Sequence, residues 1–209
     1  GITYYYRLGK LQACPSKRIT LKKKIRKDEN GNIIPDRTPK QRKNNTKFTF
    51  ARYMFAFIRK RFGDLPVWKI AAAQRGMTDD NLIQSTNYKY LDEKGKILDM
   101  EGFQVSLGPL ALPLNLRATR NATLVSITWD DPRDEPSAAP TDRMMVGIFY
   151  ADYRDTFTLE KETGATRRDG KCEIILRDDD GEVCIHPFFA RADNTAFSED
   201  KAITLPDTE

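Results

Sequence analysis

The spacing of apolar positions predicts β-structure at the start of the chain. Residues 2–8 are β-branched and aromatic, which is typical of a strand. In residues 17–26 apolar and basic positions alternate with period two, Asn30-Gly31 supplies a tight turn, and Pro35 cuts the return strand short. The pattern therefore predicts a β-ribbon with one strongly basic face. Its apolar side would carry Ile19, Leu21 and Ile25.

The period changes to that of an α-helix at residue 38. Thr38, Pro39 and Gln41 fit a capping box, with the threonine at the N-cap and the proline at the first helical position. Apolar residues then recur at helical spacing as far as Gly63, a natural stop. We therefore expect one continuous helix over 38–63. Its buried face would contain Phe48, Ala51, Phe55, Ile58 and Phe62, widened by Phe50, Met54 and Phe57.

Two shorter helices and a series of strands are predicted after this helix. The helices cover residues 66–75 and the stretch from the cap residue Thr78 to about residue 90. From about residue 99, short apolar alternations separated by turn residues predict strands. These lie near residues 103–107, 122–129, 144–151, 155–159, 171–177, 183–190 and 201–205.

This succession of short strands is typical of an immunoglobulin-like sandwich. We predict an α+β protein in which a basic N-terminal β-ribbon and helices precede an antiparallel immunoglobulin-like β-sandwich. The change of pattern divides the chain into a basic ribbon plus helical region, residues 1–98, and the sandwich, residues 99–209. Such sandwiches carry many functions, so the fold alone indicates none of them.

The net charge of +5 conceals an uneven distribution of charged residues. Residues 17–62 contain 16 Lys and Arg and 3 Asp and Glu, a local charge of +13, whereas residues 63–209 carry −10. A basic part of this kind can steer a polyanion to one end of a protein. It can equally attract the acidic part of the same chain or of a second copy.

Several segments resemble a known family. They are "VSLGPLALP" (105–113), Trp129, "APTDRMMVGIFY" (139–150) and "CIHPFFARADNTAFSEDKAI" (184–203). With the Lys/Arg-rich start and the Thr-Pro-x-Gln helix, they resemble a domain-of-unknown-function family of Bacteroidetes proteins over roughly residues 30–205. The resemblance implies this layout and supplies no activity and no site residues. The chain departs from the family at its start, where a Gly/Ser-rich stretch is expected.

The chain has one histidine, His186, which lies in a predicted strand. Cys172 or Cys184 could pair with it as a nucleophile with its base. Because Cys184 and His186 are two residues apart on one strand, their side chains are expected to point the same way rather than at each other. We therefore interpret His186 as structural and predict that it and the three cysteines are dispensable for function. The pattern leaves open whether Cys172 and Cys184, on neighbouring predicted strands, form a disulfide.

No metal or cofactor site is predicted. Three cysteines and one histidine occur without the paired C-x-x-C spacing of a zinc site. The acidic stretches 130–142 and 177–182 lack the spacing of a calcium loop and are interpreted as a surface loop and a hairpin turn. Phosphate-binding, dinucleotide-binding and nucleophile-elbow motifs are also missing from the sequence. We predict that the protein is not an enzyme.

The basic ribbon and helix start form the candidate binding site. In one interpretation they contact phosphates, because a two-stranded ribbon fits the major groove of DNA. In the other, the lysines prevent an exposed edge from pairing with other chains, and the ribbon is solvated or contacts a protein. The candidate polyanion-binding residues are Arg18, Lys22, Lys24, Arg26, Arg37, Lys40, Arg42 and Lys43.

The sequence favours a non-catalytic interaction or assembly protein that binds an unknown protein partner or itself. The alternative is binding of nucleic acid or another polyanion through residues 17–43. No apolar run reaches the roughly 18 residues of a membrane helix. The few cysteines favour a reducing compartment, so we expect a cytoplasmic protein. Export stays open because Gly1 stands where a Met would begin a native chain.

Overall fold

The computed structural model describes residues 2–7, 10–15, 29–30, 38–131, 137–177 and 181–207. The chain forms two compact units, Gly1–Thr46 and Lys47–Glu209. The boundary predicted after residue 98 lies inside the second unit. Apart from a turn at residues 29–30, the predicted basic ribbon lies outside the described residues.

The first unit contains a pair of antiparallel strands. Strand β1 (Ile2–Arg7) pairs with strand β2 (Lys10–Pro15), so that Ile2 lies opposite Pro15 and Arg7 opposite Lys10. Strand β1 confirms the strand predicted near residues 2–8. Strand β2 was not predicted, because its sequence, "KLQACP", contains no β-branched or aromatic residue and ends in proline.

The long helix α1 (Pro39–Phe62) confirms the predicted continuous helix. Its start is the capping box: the Thr38 amide donates to Gln41 Oε1 at 2.9 Å, and the Gln41 amide donates to Thr38 Oγ1 at 3.2 Å. It ends at Gly63, whose φ of 59° is readily adopted only by glycine. The buried α1 residues are Ala51, Met54, Phe55, Ile58 and Phe62.

The prediction was wrong for two aromatic residues of α1. Phe48 and Phe50 were assigned to the buried face, but 41% and 40% of their surfaces are exposed. The buried face of α1 begins only at Ala51, so the helical spacing continues beyond the part of the helix that is covered by a core.

Two short helices follow α1, as predicted. Helix α2 (Val67–Gln74) is followed by Gly76, which has a positive φ of 64°. Helix α3 (Asp79–Asn87) is capped by Thr78, whose Oγ1 accepts from the Asn81 amide at 3.4 Å. A 3₁₀ turn (Tyr88–Tyr90) ends this helical region.

In the described residues from 114 onward, seven strands form two antiparallel sheets. The three-stranded sheet has the order β3 (Leu114–Asn121), β4 (Leu124–Asp130) and β7 (Lys171–Ile175). The four-stranded sheet has the order β6 (Thr158–Glu160), β5 (Arg143–Tyr150), β8 (Val183–Ala190) and β9 (Ile203–Leu205).

This strand order is that of an immunoglobulin-like sandwich. In chain order, the first, second and fifth sandwich strands form one sheet, and the fourth, third, sixth and seventh form the other. The constant-type immunoglobulin domain has the same partition except that its fourth strand joins the first sheet. The protein is therefore α+β, with helices followed by an antiparallel immunoglobulin-like β-sandwich.

One predicted strand is absent and one was missed. Residues 103–107 do not form a strand, although Phe103, Val105 and Leu107 alternate as predicted. Their backbone amides donate to side chains instead of to a neighbouring strand. The Gln104 amide donates to Asn87 Oδ1, and the amides of Val105 and Ser106 donate to Asp200 Oδ1. The first strand of the sandwich is β3, which was not predicted.

The four-stranded sheet is buried on both faces, so the second unit has three layers. On β5, Met145 and Phe149 pack in a core with the helices, whereas Val146 and Ile148 pack in the core between the two sheets. Strand β8 divides its side chains in the same alternating way. This explains why every residue of β8 is buried.

Candidate functional site

Of the predicted polyanion-binding residues, the structure describes three. Lys40, Arg42 and Lys43 lie in the first turns of α1 and are exposed to solvent. The other five, Arg18, Lys22, Lys24, Arg26 and Arg37, lie outside the described residues. The described part of the candidate site is thus the start of α1.

The charge of α1 is entirely of one sign. The helix contains eight Lys and Arg residues and no Asp or Glu over its 24 residues. Two of these cations lie over aromatic rings: Lys47 Nζ is 4.7 Å from the centroid of Tyr88, and the Arg61 guanidinium is 4.7 Å from that of Phe57. Exposed aromatic side chains accompany the charges, with Tyr53 exposed over 68% of its surface.

A groove of about 690 Å³ lies between α1 and α3 in the second unit. Phe48, Arg52 and Tyr53 of α1 line it on one side, and Asn81 and Gln84 of α3 line it on the other. Arg59 and Asp80, which also line the groove, form an ion pair across it. Since Asp80 is the only acidic residue among those lining the groove, the groove keeps a net positive charge.

A second cluster combines a thiol, an imidazole and a carboxylate. Cys184 Sγ is 3.4 Å from His186 Nε2, and His186 Nδ1 is 2.5 Å from Asp200 Oδ2. The other carboxylate oxygen, Asp200 Oδ1, accepts from the amides of Val105 at 3.0 Å and Ser106 at 2.8 Å. The prediction that Cys184 and His186 would not meet was wrong, because two side chains on the same strand face are close enough for a sulfur–nitrogen contact.

This arrangement resembles a catalytic nucleophile, base and orienting acid, but it lies in the protein interior. Cys184 and His186 are fully buried and the Asp200 side chain is 3% exposed. The ring of His186 packs edge-on against Phe149, with the centroids 4.8 Å apart. A substrate therefore cannot reach the thiol without opening the core.

The imidazole of His186 binds its proton unusually tightly in this cluster. Burial alone lowers the pKa of His186, but hydrogen bonds to Asp200 and Cys184, together with their charges, outweigh burial and raise the pKa to about 9. Thr204 connects this cluster to the surface. Its Oγ1 lies 3.9 Å from Cys184 Sγ, a weak contact, and donates a hydrogen bond to the exposed Glu101. The His186 imidazolium and the Asp200 carboxylate thus form a buried ion pair that links β8 to the residues 105–106 before the sandwich.

Cys172 and Cys184 do not form a disulfide. Both thiols are free and buried, with Cys184 in the core beside the helices and Cys172 in the core between the sheets. Their strands are consecutive predicted elements, but β7 and β8 belong to different sheets. Burial raises the pKa of the Cys172 thiol, which makes it less nucleophilic.

Asp142 is buried among arginines at one end of the sandwich. Arg167 Nε lies 3.4 Å and Arg191 Nε 3.6 Å from its carboxylate. Arg167 is fully buried, donates to the Ala111 carbonyl at 2.6 Å and stacks over the ring of Phe189. These contacts tie the loops of the sandwich together, and nothing in the sequence pattern indicated that Arg167 would be buried.

The acidic stretches are only partly described. Residues 132–136 and 178–180, which belong to the predicted surface loop and hairpin turn, lie outside the described residues. Within the described ranges, no group of three or more His, Cys, Asp or Glu side chains is arranged to hold a metal ion. In the same ranges, no helix is long and apolar enough to cross a membrane.

Comparisons with known proteins assign neither a family nor a function to the chain. No protein-family model and no curated protein matches the chain, so the resemblance to the Bacteroidetes family stays a prediction. Among solved structures, the chain is similar to the FN1–FN3 domains of chicken CNTN1, with a TM-score of 0.36 and 7% identity. That match covers 50% of this chain and only 34% of the CNTN1 chain. The sandwich assignment therefore rests on strand order.

Two functional candidates were missed by the sequence analysis. Asp200 lies in a loop before β9, and its sequence context contains no signal that it would reach His186. Tyr53 did have a signal, since it lies beside Arg52 on the side of α1 away from the predicted buried face. An exposed aromatic residue among cationic helix positions is a candidate contact residue, since the face of its ring can stack on a ligand.

Proposed function

We propose that the protein is a non-catalytic binding protein, that its partner is a polyanion with nucleic acid as the first candidate, and that α1 supplies the contact surface. The observation that carries this proposal is the helix itself, with eight cationic residues, no acidic residue and exposed aromatic side chains. Basic residues interleaved with aromatic ones are the pattern that nucleic-acid-binding surfaces use.

The uniform positive charge of α1 supports a polyanion as the first hypothesis, and the exposed rings of Phe48 and Phe50 add surfaces on which bases can stack. The helical spacing assigned both rings to a core, but each is about two-fifths exposed on a helix that carries only positive charge. Base stacking uses exposed aromatic rings, and the positive charge around them attracts phosphates. A non-catalytic role is supported by the burial of Cys184 and His186, the groups best suited to covalent chemistry.

The proposal is tested by the salt dependence of oligonucleotide binding. The logarithm of the affinity for duplex DNA should fall against the logarithm of salt concentration by about 0.9 per phosphate contacted. Changing Lys40, Arg42 and Lys43 together to Gln should flatten this slope by about 2 to 3. Fluorescence anisotropy of a labelled oligonucleotide over a salt series measures the slope.

The matched control removes the same number of positive charges elsewhere. Arg117, Lys171 and Arg177 are exposed residues on or beside the three-stranded sheet, and their change to Gln should leave the slope almost unaltered. An equal loss in both variants would show a general effect of net charge instead of a site. Absence of binding by the wild-type protein at low salt would refute the proposal and favour a protein partner or self-association.

A further inference from the structure

We infer that the groove between α1 and α3 binds unpaired bases of a single-stranded nucleic acid. This inference rests on the proposed function and specifies its ligand. The groove is formed by Phe48, Arg52 and Tyr53 of α1 together with Asn81 and Gln84 of α3. Its volume of about 690 Å³ lies within the range of roughly 300–1,000 Å³ that small-ligand sites occupy.

The aromatic side chains of the groove are available for stacking. Tyr53 is 68% exposed and Phe48 is 41% exposed, so both rings present surface to solvent in the unliganded protein. Every base has an aromatic face, and proteins that bind single strands stack successive bases on such rings. A duplex hides these faces inside its base stack, which is why the groove should discriminate between the two forms.

The charges of the groove match a phosphate backbone. Asp80 would repel phosphates, but its carboxylate is paired with Arg59 across the groove. Arg52 is exposed beside the aromatic residues and leaves the groove with a net positive charge. The side-chain amides of Asn81 and Gln84 add hydrogen-bonding groups that can donate to or accept from a base edge.

Tyr53 offers the sharpest test because it is exposed and its removal should not affect folding. We expect Tyr53→Ala to weaken binding of a single-stranded oligonucleotide by about 5- to 150-fold, the range for loss of one stacked base. Tyr53→Phe keeps the ring and should bind within about twofold of the wild type. Arg52→Gln should flatten the single-strand salt slope by about 0.7.

Three comparisons make the result specific. The first is Tyr153→Ala, which removes a tyrosine of similar exposure, 51%, that lies outside the groove and should leave binding unchanged. The second is the duplex of the same sequence, whose binding Tyr53→Ala should alter little. The third is polyglutamate, a polyanion without bases, which should compete poorly at equal charge concentration. Circular dichroism melts of all variants check that each is folded.

The outcomes separate this inference from the proposed function. Equal binding of single strands and duplex, with Tyr53→Ala unchanged in both, would overturn base stacking in the groove while leaving a polyanion-binding α1 intact. Competition by polyglutamate as strong as that by the oligonucleotide would overturn it in the same way. Failure of the wild-type protein to bind either nucleic acid at low salt would overturn both.

Discussion

Replacing Asp200 with Asn should change how the stability of the protein depends on pH. In the wild type, the carboxylate of Asp200 accepts from His186 at 2.5 Å and helps to raise the pKa of this buried imidazole to about 9. The ordinary pKa of a histidine in an unfolded chain is about 6.5. The folded state therefore holds the proton more tightly than the unfolded state.

The direction of the effect follows from this difference. A raised pKa contributes stability that is fully present below about pH 6.5 and is lost as the pH rises through about 9. The difference between the two pKa values corresponds to about 3 kcal/mol in total. About 2 kcal/mol of this should be lost between about pH 6 and pH 8. His186 is the only histidine of the chain, so no other histidine titrates in this interval.

Asparagine is the informative replacement because it separates charge from hydrogen bonding. Its side-chain oxygen can still accept from the Val105 and Ser106 amides, which Asp200 Oδ1 does at 3.0 and 2.8 Å. The negative charge that supports the imidazolium is removed, and burial then favours the neutral ring. We expect Asp200→Asn to lose less than half of the wild-type change between pH 6 and pH 8, or to reverse its sign.

Urea unfolding followed by the fluorescence of Trp68 and Trp129, both buried, gives the free energy of unfolding at each pH. His186→Gln is the control, since it removes the titrating group and should show no such dependence. A wild-type stability that stays constant from pH 6 to pH 8 would refute the buried ion pair. The same conclusion would follow if Asp200→Asn retained the full wild-type slope.

Three further predictions concern the core. Phe55→Ala should destabilise the protein by about 3–5 kcal/mol, because Phe55 is only 3% exposed. Phe48→Ala should cost less than about 1 kcal/mol, because Phe48 is 41% exposed. If the two variants melted at similar temperatures, the assignment of the buried face would be contradicted. Gly108→Ala should lower the free energy of unfolding by about 2 kcal/mol or more, since a Cβ at this position would lie 2.1 Å from the Phe197 carbonyl oxygen. An unchanged midpoint of urea unfolding in this variant would disprove the close approach. Iodoacetamide applied under native conditions should leave Cys172 and Cys184 unlabelled, because both thiols are buried. Mass spectrometry measures the labelling, and rapid labelling would mean that the cores open readily.

The sequence predicted α1 closely because its signals are local. The capping box joins residues three apart, and Gly63 ends the helix through its own backbone conformation. Its buried residues from Ala51 onward also follow from helical spacing alone. Exposure of Phe48 and Phe50 does not follow from spacing, since it depends on where the core that covers the helix begins.

For the strands too, local signals predicted the position of an element but not its tertiary surroundings. The mainly apolar stretch of β8 predicted its place and length, but it could not show that the sheet would be buried on both faces by helices and by a second sheet. Apolar and polar residues alternate over 103–107 as they do in a strand. The residues form no strand, because their amides donate to the side chains of Asn87 and Asp200. Asp200 is 95 residues from Val105 in the sequence, and a local sequence pattern cannot predict a contact between residues so far apart.

The sequence by itself thus determined the helices, most sandwich strands, the basic charge of α1 and the absence of known motifs. Only the tertiary structure decided which aromatic residues are exposed, that α3 closes a groove against α1, and that Asp200 completes a buried ion pair with His186. The physical reason is one of range. Capping, periodicity and turn preferences act between residues a few positions apart, whereas burial and ion pairing depend on residues brought together from distant parts of the chain.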